Sequence, residues 1–282
     1  MKKRILFTSL FLLLICFGQK DSISTEIKKQ RIVSLAPSTT EILFALGLDS
    51  EIVGVSSFCD YPLKAQEKEK VGTFSHPNIE KILSLKPDII FCTGLEQAPI
   101  IRKLRQLKLE VYVSDPSNVD DLFDSITEMA ALTNREKKAE NLIEEMRRGI
   151  ARIKSRVKSI PEKDKPRVFV EFWNNPLMTP GRGSFIDELI TLAGGANIAY
   201  DTERPYSYFS PEQVLNRDPD CIIVAYMVNE DASKAISERL GWKEIAAVKN
   251  NRIYNDIDPN ILLRPGPRLV EALTQLHKRL YP

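Results

Sequence analysis

The side chains of this chain that could do chemistry are rings, a pair of acids and one arginine. No nucleophile stands beside a base. Phe58, Tyr61 and Phe74 fall in loops of the first half; Phe172, Trp173, Tyr206, Tyr208 and Phe209 fall in loops of the second. Aromatic faces bury much area for little loss of side-chain entropy, which suits a large flat ligand. Rings in loops also serve as plugs packed beneath their own backbone, and a share of these eight is expected to do so. Arg264 sits in the run R-P-G-P-R, whose prolines stiffen the backbone. Its guanidinium would offer a fixed fork of donors to an amide, carboxylate or phosphate. Arg268 begins the last helix and reads as structural. Glu80 and Glu212 each open a helix, where the dipole favours a carboxylate. Two equivalent exposed acids would equally grip two basic patches on a symmetric partner.

Catalytic readings find little support. The chain has two histidines. His277 lies in the last helix, and His76 has no Ser, Cys or Asp partner at a recognisable spacing. His76 reads first as a surface histidine and second as an axial ligand to a metal already held in a macrocycle. A zinc site built on several histidines is excluded by their number. Neither a Gly-x-Gly-x-x-Gly run nor a phosphate-loop lysine is present. The expectation is a protein that is not an enzyme, with no metal and no cofactor of its own.

Composition bounds what must position these groups. With 282 residues, 43% hydrophobic and 28% charged, the chain can fill one large or two modest domains. A net charge of +2, spread out and matched by acids, carries no nucleic-acid signature. Lys2, Lys3 and Arg4 precede an apolar run from Ile5 to Ile15, then polar Gln19 and Lys20, so 1–20 reads as an export signal too short to span a bilayer. Cys16 closes the run and is a candidate lipidated first residue, although Ile15 before it is bulky for that role. The mature protein is then soluble or tethered only by its end. Cys59 and Cys92 both fall where strands end, as two free thiols or one bridge; Cys221 sits in an apolar strand as a core residue.

Strands alternating with helices at short spacing predict an α/β fold with parallel sheets. One lobe covers 31–133 and a second covers 166–282. Between them, 134–160 reads as one long helix, with apolar Ala139, Ile143, Met146, Ile150, Ile153 and Val157 in a single stripe. Thr133 and Glu136 offer a capping box at its start. Asn174 to Gly183 reads as a loop. The two lobes repeat: I-E-K-I-L-S-L-K-P-D-I-I-F from Ile79 matches P-E-Q-V-L-N-R-D-P-D-C-I-I from Pro211, which puts Glu80 and Glu212 at equivalent places. Two like lobes leave a cleft at the carboxyl ends of their strands, where open α/β sheets bind ligands.

The segments R-I-V-S-L-A-P-S-T-T-E, V-G-V-S-S-F-C-D-Y-P, N-I-E-K-I-L-S-L-K-P-D, S-P-E-Q-V-L and R-P-G-P-R together resemble the solute-binding proteins of ABC importers of the helix-linked class, nearest to its periplasmic cobalamin-binding members, with iron-siderophore and heme binders as relatives. The resemblance covers essentially all of the mature chain. It implies two Rossmann-like lobes joined by one long helix, an exported protein of the periplasm or outer face of the envelope, and a monomer that hands its ligand to a permease dimer driven by ATPase subunits. It implies a corrin sandwiched by Phe58, Phe74, Phe172 and Tyr206, contacts from Arg264 and Asn260, and docking of Glu80 and Glu212 on permease arginines. Two departures bear on the ligand. Thr93 stands where the cobalamin binders carry a tryptophan, and Thr73 stands where heme binders tend to carry a tyrosine.

Overall fold

The structure is a computed structural model that describes residues 29–226 and 232–282. The export signal and Cys16 lie outside the described residues. The first lobe runs β1 (Ile32–Ser34), α1 (Pro37–Ala45), β2 (Ile52–Val55), α2 (Ile79–Ser84), β3 (Ile89–Cys92), α3 (Ala98–Gln106), β4 (Val111–Val113) and α4 (Val119–Thr133). Helix α5 (Glu136–Val157) follows. The second lobe runs β5 (Arg167–Glu171), β6 (Trp173–Asn174), β7 (Leu177–Pro180), α6 (Phe185–Leu192), β8 (Ala196–Asn197), β9 (Tyr206–Tyr208), α7 (Pro211–Arg217), β10 (Cys221–Val224), α8 (Ala232–Ser237), α9 (Ala246–Lys249), β11 (Ile253–Tyr254), α10 (Pro259–Leu263) and α11 (Leu269–Leu280).

Each lobe holds a four-stranded parallel sheet, in the order β2-β1-β3-β4 and β8-β5-β10-β11. The two orders are the same once β5, β8, β10 and β11 are set against β1, β2, β3 and β4. The internal repeat explains why. After α2 and after α7 the chain turns through a left-handed residue before proline, Lys86 (φ 48°) and Asp218 (φ 41°). The next acid then takes the backbone N–H that opens the central strand: Arg31 donates to Asp88 Oδ2 at 2.7 Å, and Arg167 to Asp220 Oδ2 at 2.8 Å. One short stretch of sequence builds the same helix-to-strand turn twice.

Successive strand residues face opposite ways, and the core follows that period. Ile32, Ile89 and Phe91 of the first lobe and Val168, Val170, Cys221 and Ile223 of the second point into one shared apolar cluster. Val33, Ile90 and Cys92 point into a separate cluster on the outer face of the first sheet; Phe169, Ile222 and Val224 do the same in the second. The shared cluster is closed by Ala139, Met146, Ile150 and Ile153 of α5. The 22 residues of α5 rise on the order of 33 Å. This helix packs on α4 of one lobe and on α6 and α11 of the other. At Gly149 a Cβ would stand 2.5 Å from Val270 Cγ1, so α5 and α11 meet backbone to side chain. Cys59 belongs to the shared cluster and Cys92 to the outer one, and both are free, as is Cys221.

Two expectations need correction. The capping box is not made: α4 extends through Thr133, whose hydroxyl donates back to Met129 O at 2.7 Å, and Asn134 closes that helix in the left-handed region (φ 55°). Helix α5 therefore starts at Glu136, after Arg135, without a side-chain cap. Nor is 174–183 a plain loop. Trp173 to Pro180 forms two antiparallel strands, β6 and β7, and β7 pairs antiparallel with β9 to complete a third sheet, β6-β7-β9.

A second link between the lobes is ionic. Glu41, the one charged residue of helix α1, is 3% exposed. Its carboxylate accepts from Arg268 Nε at 2.8 Å and Nη2 at 2.6 Å, and from Arg264 Nη1 at 3.3 Å. Arg264 also reaches Asp60 Oδ1 at 2.5 Å, and Arg268 reaches Asp258 at 3.6 Å. A buried ion is tolerated only when paired, and losing one partner strands the others. Glu41→Ala should therefore lower unfolding stability by about 3–5 kcal/mol. A urea-unfolding midpoint unchanged from the parent would show that this network does not hold the lobes.

Candidate ligand cleft

Between the lobes lies a cleft of about 770 Å³. It is within the range of small-molecule sites, roughly 300–1,000 Å³. The first lobe supplies Pro37 and Ser38 after β1, Phe58 after β2, Thr93 after β3 and Asp115 and Pro116 after β4, all past the carboxyl ends of strands, together with Phe74. The second supplies Gly183, Ser184 and Phe185 where α6 begins, Arg204, Pro205 and Tyr206 entering β9, and Leu263, Arg264 and Pro265 leaving α10. Four aromatic rings and four prolines make up much of the walls.

The loops of the first wall are tied by one buried amide. Gln97, 1% exposed, donates from Nε2 to Leu35 O and to Phe74 O at 2.9 Å each, and its Oε1 accepts from Thr93 N–H at 3.0 Å. It thus fixes Phe74 relative to the ends of β1 and β3. Asp115 accepts from Thr93 Oγ1 at 3.4 Å and lies against Gly94, where a Cβ would stand 1.9 Å from its Oδ2. On the second wall the Ser184 hydroxyl caps α6 by accepting from Asp187 N–H at 3.1 Å, which sets Phe185 at the cleft.

The rings anticipated from sequence separate into distinct groups. Phe58, Phe74 and Tyr206 line the cleft. Phe172 is half-buried behind Tyr206, edge to face at 5.4 Å and 77°, and packs on the shared core. Burial pushes the Tyr206 phenol above its ordinary value, and the Asp115 charge adds to that. Phe209 is a plug, stacked on Phe169 at 6.1 Å. Tyr61 is not a cleft ring; its face carries Arg268, whose Cζ lies 4.1 Å from the ring centre. Trp173 is exposed on the antiparallel sheet, donating from Nε1 to Asn175 O at 2.9 Å, and Tyr208 is exposed on the same sheet, with Met178 between them. Neither lines the cleft.

The polar candidates also divide. Arg264 lines the cleft, but its fork is engaged by Asp60 and Glu41 rather than open. Burial pushes the Asp60 carboxyl up, yet the Arg264 guanidinium outweighs it and holds that carboxyl below its usual range. Asn260 lies in the first turn of α10, its N–H on Asp258 Oδ1 at 2.9 Å, outside the lining. His76 is exposed, its N–H on Thr73 Oγ1 at 3.1 Å, and is also outside the lining. His277 approaches Ala193 O at 3.1 Å through Nδ1. Among the described residues no group of three or more His, Cys, Asp or Glu could hold a metal. Glu80 and Glu212 are exposed at the second position of α2 and α7, behind the caps Asn78 and Ser210. Its own backbone amide, and then Ser210, lower the Glu212 carboxyl.

Sequence reading passed over Gln97, Asp115, Phe185 and Arg204. The Ser184 cap with Asp187 three residues on was a legible signal for Phe185. The others depend on partners far along the chain.

The chain matches the Periplasmic binding protein family over residues 32–259. It is 32% identical over 280 residues, 98% of this chain and 87% of the relative, to the uncharacterized ABC transporter substrate-binding lipoprotein YvrC of Bacillus subtilis. Among solved structures it is similar to the periplasmic vitamin B12 binding protein BtuF of Vibrio cholerae, with a TM-score of 0.76 and 32% identity over 89% of this chain and 96% of that one. It is also similar to the periplasmic heme-binding protein RhuT of Roseiflexus, with a TM-score of 0.78 and 26% identity over 90% and 98%. The members of this family are non-enzymatic components of transport that carry a ligand rather than a cofactor of their own. With two parallel-sheet lobes about a ring-lined cleft, the chain belongs to the periplasmic binding protein family, as a solute-binding protein of an ABC transporter.

Proposed function

We propose that this protein is exported, captures a corrinoid, cobalamin foremost, between its lobes, and delivers it to an ABC permease. The observation that carries the reading is the pairing of flat apolar faces across the cleft, Phe58 and Phe74 on one wall and Tyr206 and Phe185 on the other. Such walls suit a planar macrocycle held by burial and stacking. The likeness to the vitamin B12 binding protein adds weight to it.

Heme is the second reading, favoured by the likeness to RhuT. It asks for an axial ligand. Tyr206 is the one tyrosine or histidine among the described lining residues. Against heme, Thr73 and His76 offer no axial ligand inside the cleft, their contact with each other lying in an exposed loop, and Arg264 is already paired, which leaves Arg204 as the lining cation that a propionate would meet.

Delivery would run through Glu80 and Glu212. Each stands exposed on the first turn of a helix that repeats in the two lobes, so a permease with two like basic patches would meet one acid per subunit. The acids lie outside the cleft lining, which separates docking from binding.

Calorimetric titration of the mature protein with cyanocobalamin, and separately with hemin, tests the ligand. Tight one-to-one binding of the corrinoid with little response to hemin is expected; the reverse order would replace the corrinoid by heme. Tyr206→Ala should weaken the corrinoid about tenfold or more, and an unchanged affinity would make that ring a bystander. The double variant Glu80→Ala/Glu212→Ala should keep ligand affinity within about twofold while uptake through the reconstituted transporter falls about tenfold or more. Lost ligand affinity in that variant would argue against a docking role.

A further inference from the structure

Arg204 stands between two cavities. It lines the cleft with Pro205 and Tyr206, and it also lines a more open groove of about 610 Å³ with Met178, Tyr206 and Tyr208. Arg264 has its guanidinium on Asp60 and Glu41, whereas that of Arg204 has no hydrogen bond or ion pair among the described residues. The backbone beneath it is nonetheless fixed. Thr202 Oγ1 and Ser207 Oγ both donate to Arg204 O, at 3.3 and 3.1 Å, and Pro205 O accepts from Gly181 N–H at 2.8 Å. Only glycine fits below: a Cβ at Gly181 would stand 1.7 Å from Thr202 Oγ1 and 2.6 Å from Arg204 O. A guanidinium on a pinned backbone without a counter-ion is suited to taking an anion from a ligand.

Beyond Arg204 the groove runs over one face of the antiparallel sheet. Met178 pairs with Tyr208 across β7 and β9, so the two share a face, and Tyr206, two residues before Tyr208, lies on the same face. Tyr208 is 71% exposed. Glu203 lines the groove and not the cleft. Asp115 is the acid among the lining residues of the cleft, and it belongs to the opposite lobe.

From this arrangement we infer that Arg204 and the Met178–Tyr208 groove form a second subsite, for a phosphate-linked heteroaromatic appendage of the bound ligand. The inference rests on the corrinoid reading. The macrocycle lies in the cleft, its phosphodiester meets the Arg204 guanidinium, and the flat base beyond it lies against Tyr208. Complete corrinoids carry such an appendage, and truncated cobinamides lack it.

The test titrates cyanocobalamin and dicyanocobinamide into the wild-type protein, Arg204→Gln and Tyr208→Ala, with the unfolding midpoint of each variant as a check on folding. Wild type should bind cyanocobalamin about tenfold tighter than dicyanocobinamide. Arg204→Gln should remove most of that difference, weakening cyanocobalamin about tenfold and dicyanocobinamide about twofold or less. Tyr208→Ala, whose ring lies outside the cleft, should weaken cyanocobalamin alone. Equal weakening of both corrinoids by Arg204→Gln, or no preference in the wild type, would overturn the subsite while leaving the corrinoid reading in place. If neither corrinoid binds, both readings fall, and that outcome is distinct from the others.

Discussion

A buried carboxylate sets the geometry on which the cleft depends. Glu41 has almost no contact with water, so its charge must be met by cations delivered to it, and the two that arrive come from the other lobe. That requirement places the R-P-G-P-R segment over α1, and with it Leu263, Arg264 and Pro265 at the cleft wall. The lobes are then joined in two ways. Helix α5 and the shared apolar cluster join them by burial, and the Glu41 network joins them by charge beside the ligand site. A continuous helix buried along one stripe does not bend as a loop hinge does, so the relative movement of the lobes on binding should be small. Adaptation to a ligand falls instead to the loops.

Much of this was legible in the sequence because it repeats. A helix start, a proline turn and an acid that takes a strand's first N–H are local features, and they recur 132 positions apart in the stretches that begin at Ile79 and Pro211. A local rule met twice predicts two like units, and the two sheets have the same strand order. The stripe of α5 was legible for the same reason, since a period near 3.6 survives any tertiary context. Its start was not. Thr133 had two local options, to cap the next helix or to bond back within its own, and the extension of α4 to Asn134 chose the second.

The parts that escaped are pairings across long separations. Arg264 meets Glu41 at a distance of 223 positions and Asp60 at 204, and nothing local to R-P-G-P-R announces either acid. Read alone, the fork seemed open. In the fold it is engaged, and among the described lining residues of the cleft the cation without a partner is Arg204, in a stretch with no motif. The rings were left undivided for the same reason: type and loop position pick out Phe58, Phe74 and Tyr206, but only packing separates them from Phe209 beneath its loop and Tyr61 beneath Arg268. The antiparallel sheet was hidden because its strands are short, and β6 and β7 are separated by the cis-proline turn Asn175-Pro176.

The pairing of Arg264 changes what kind of recognition the cleft can perform. Were that guanidinium open, the site would select for charge, and a carboxylate-bearing ligand would gain most from it. With its charge met from within the protein, the inner cleft offers chiefly faces and edges, Phe58 and Phe74 against Tyr206 and Phe185. Faces discriminate by shape and area, and weakly among flat molecules of similar size. Discrimination then has to come from the rim, where side chains are not already engaged.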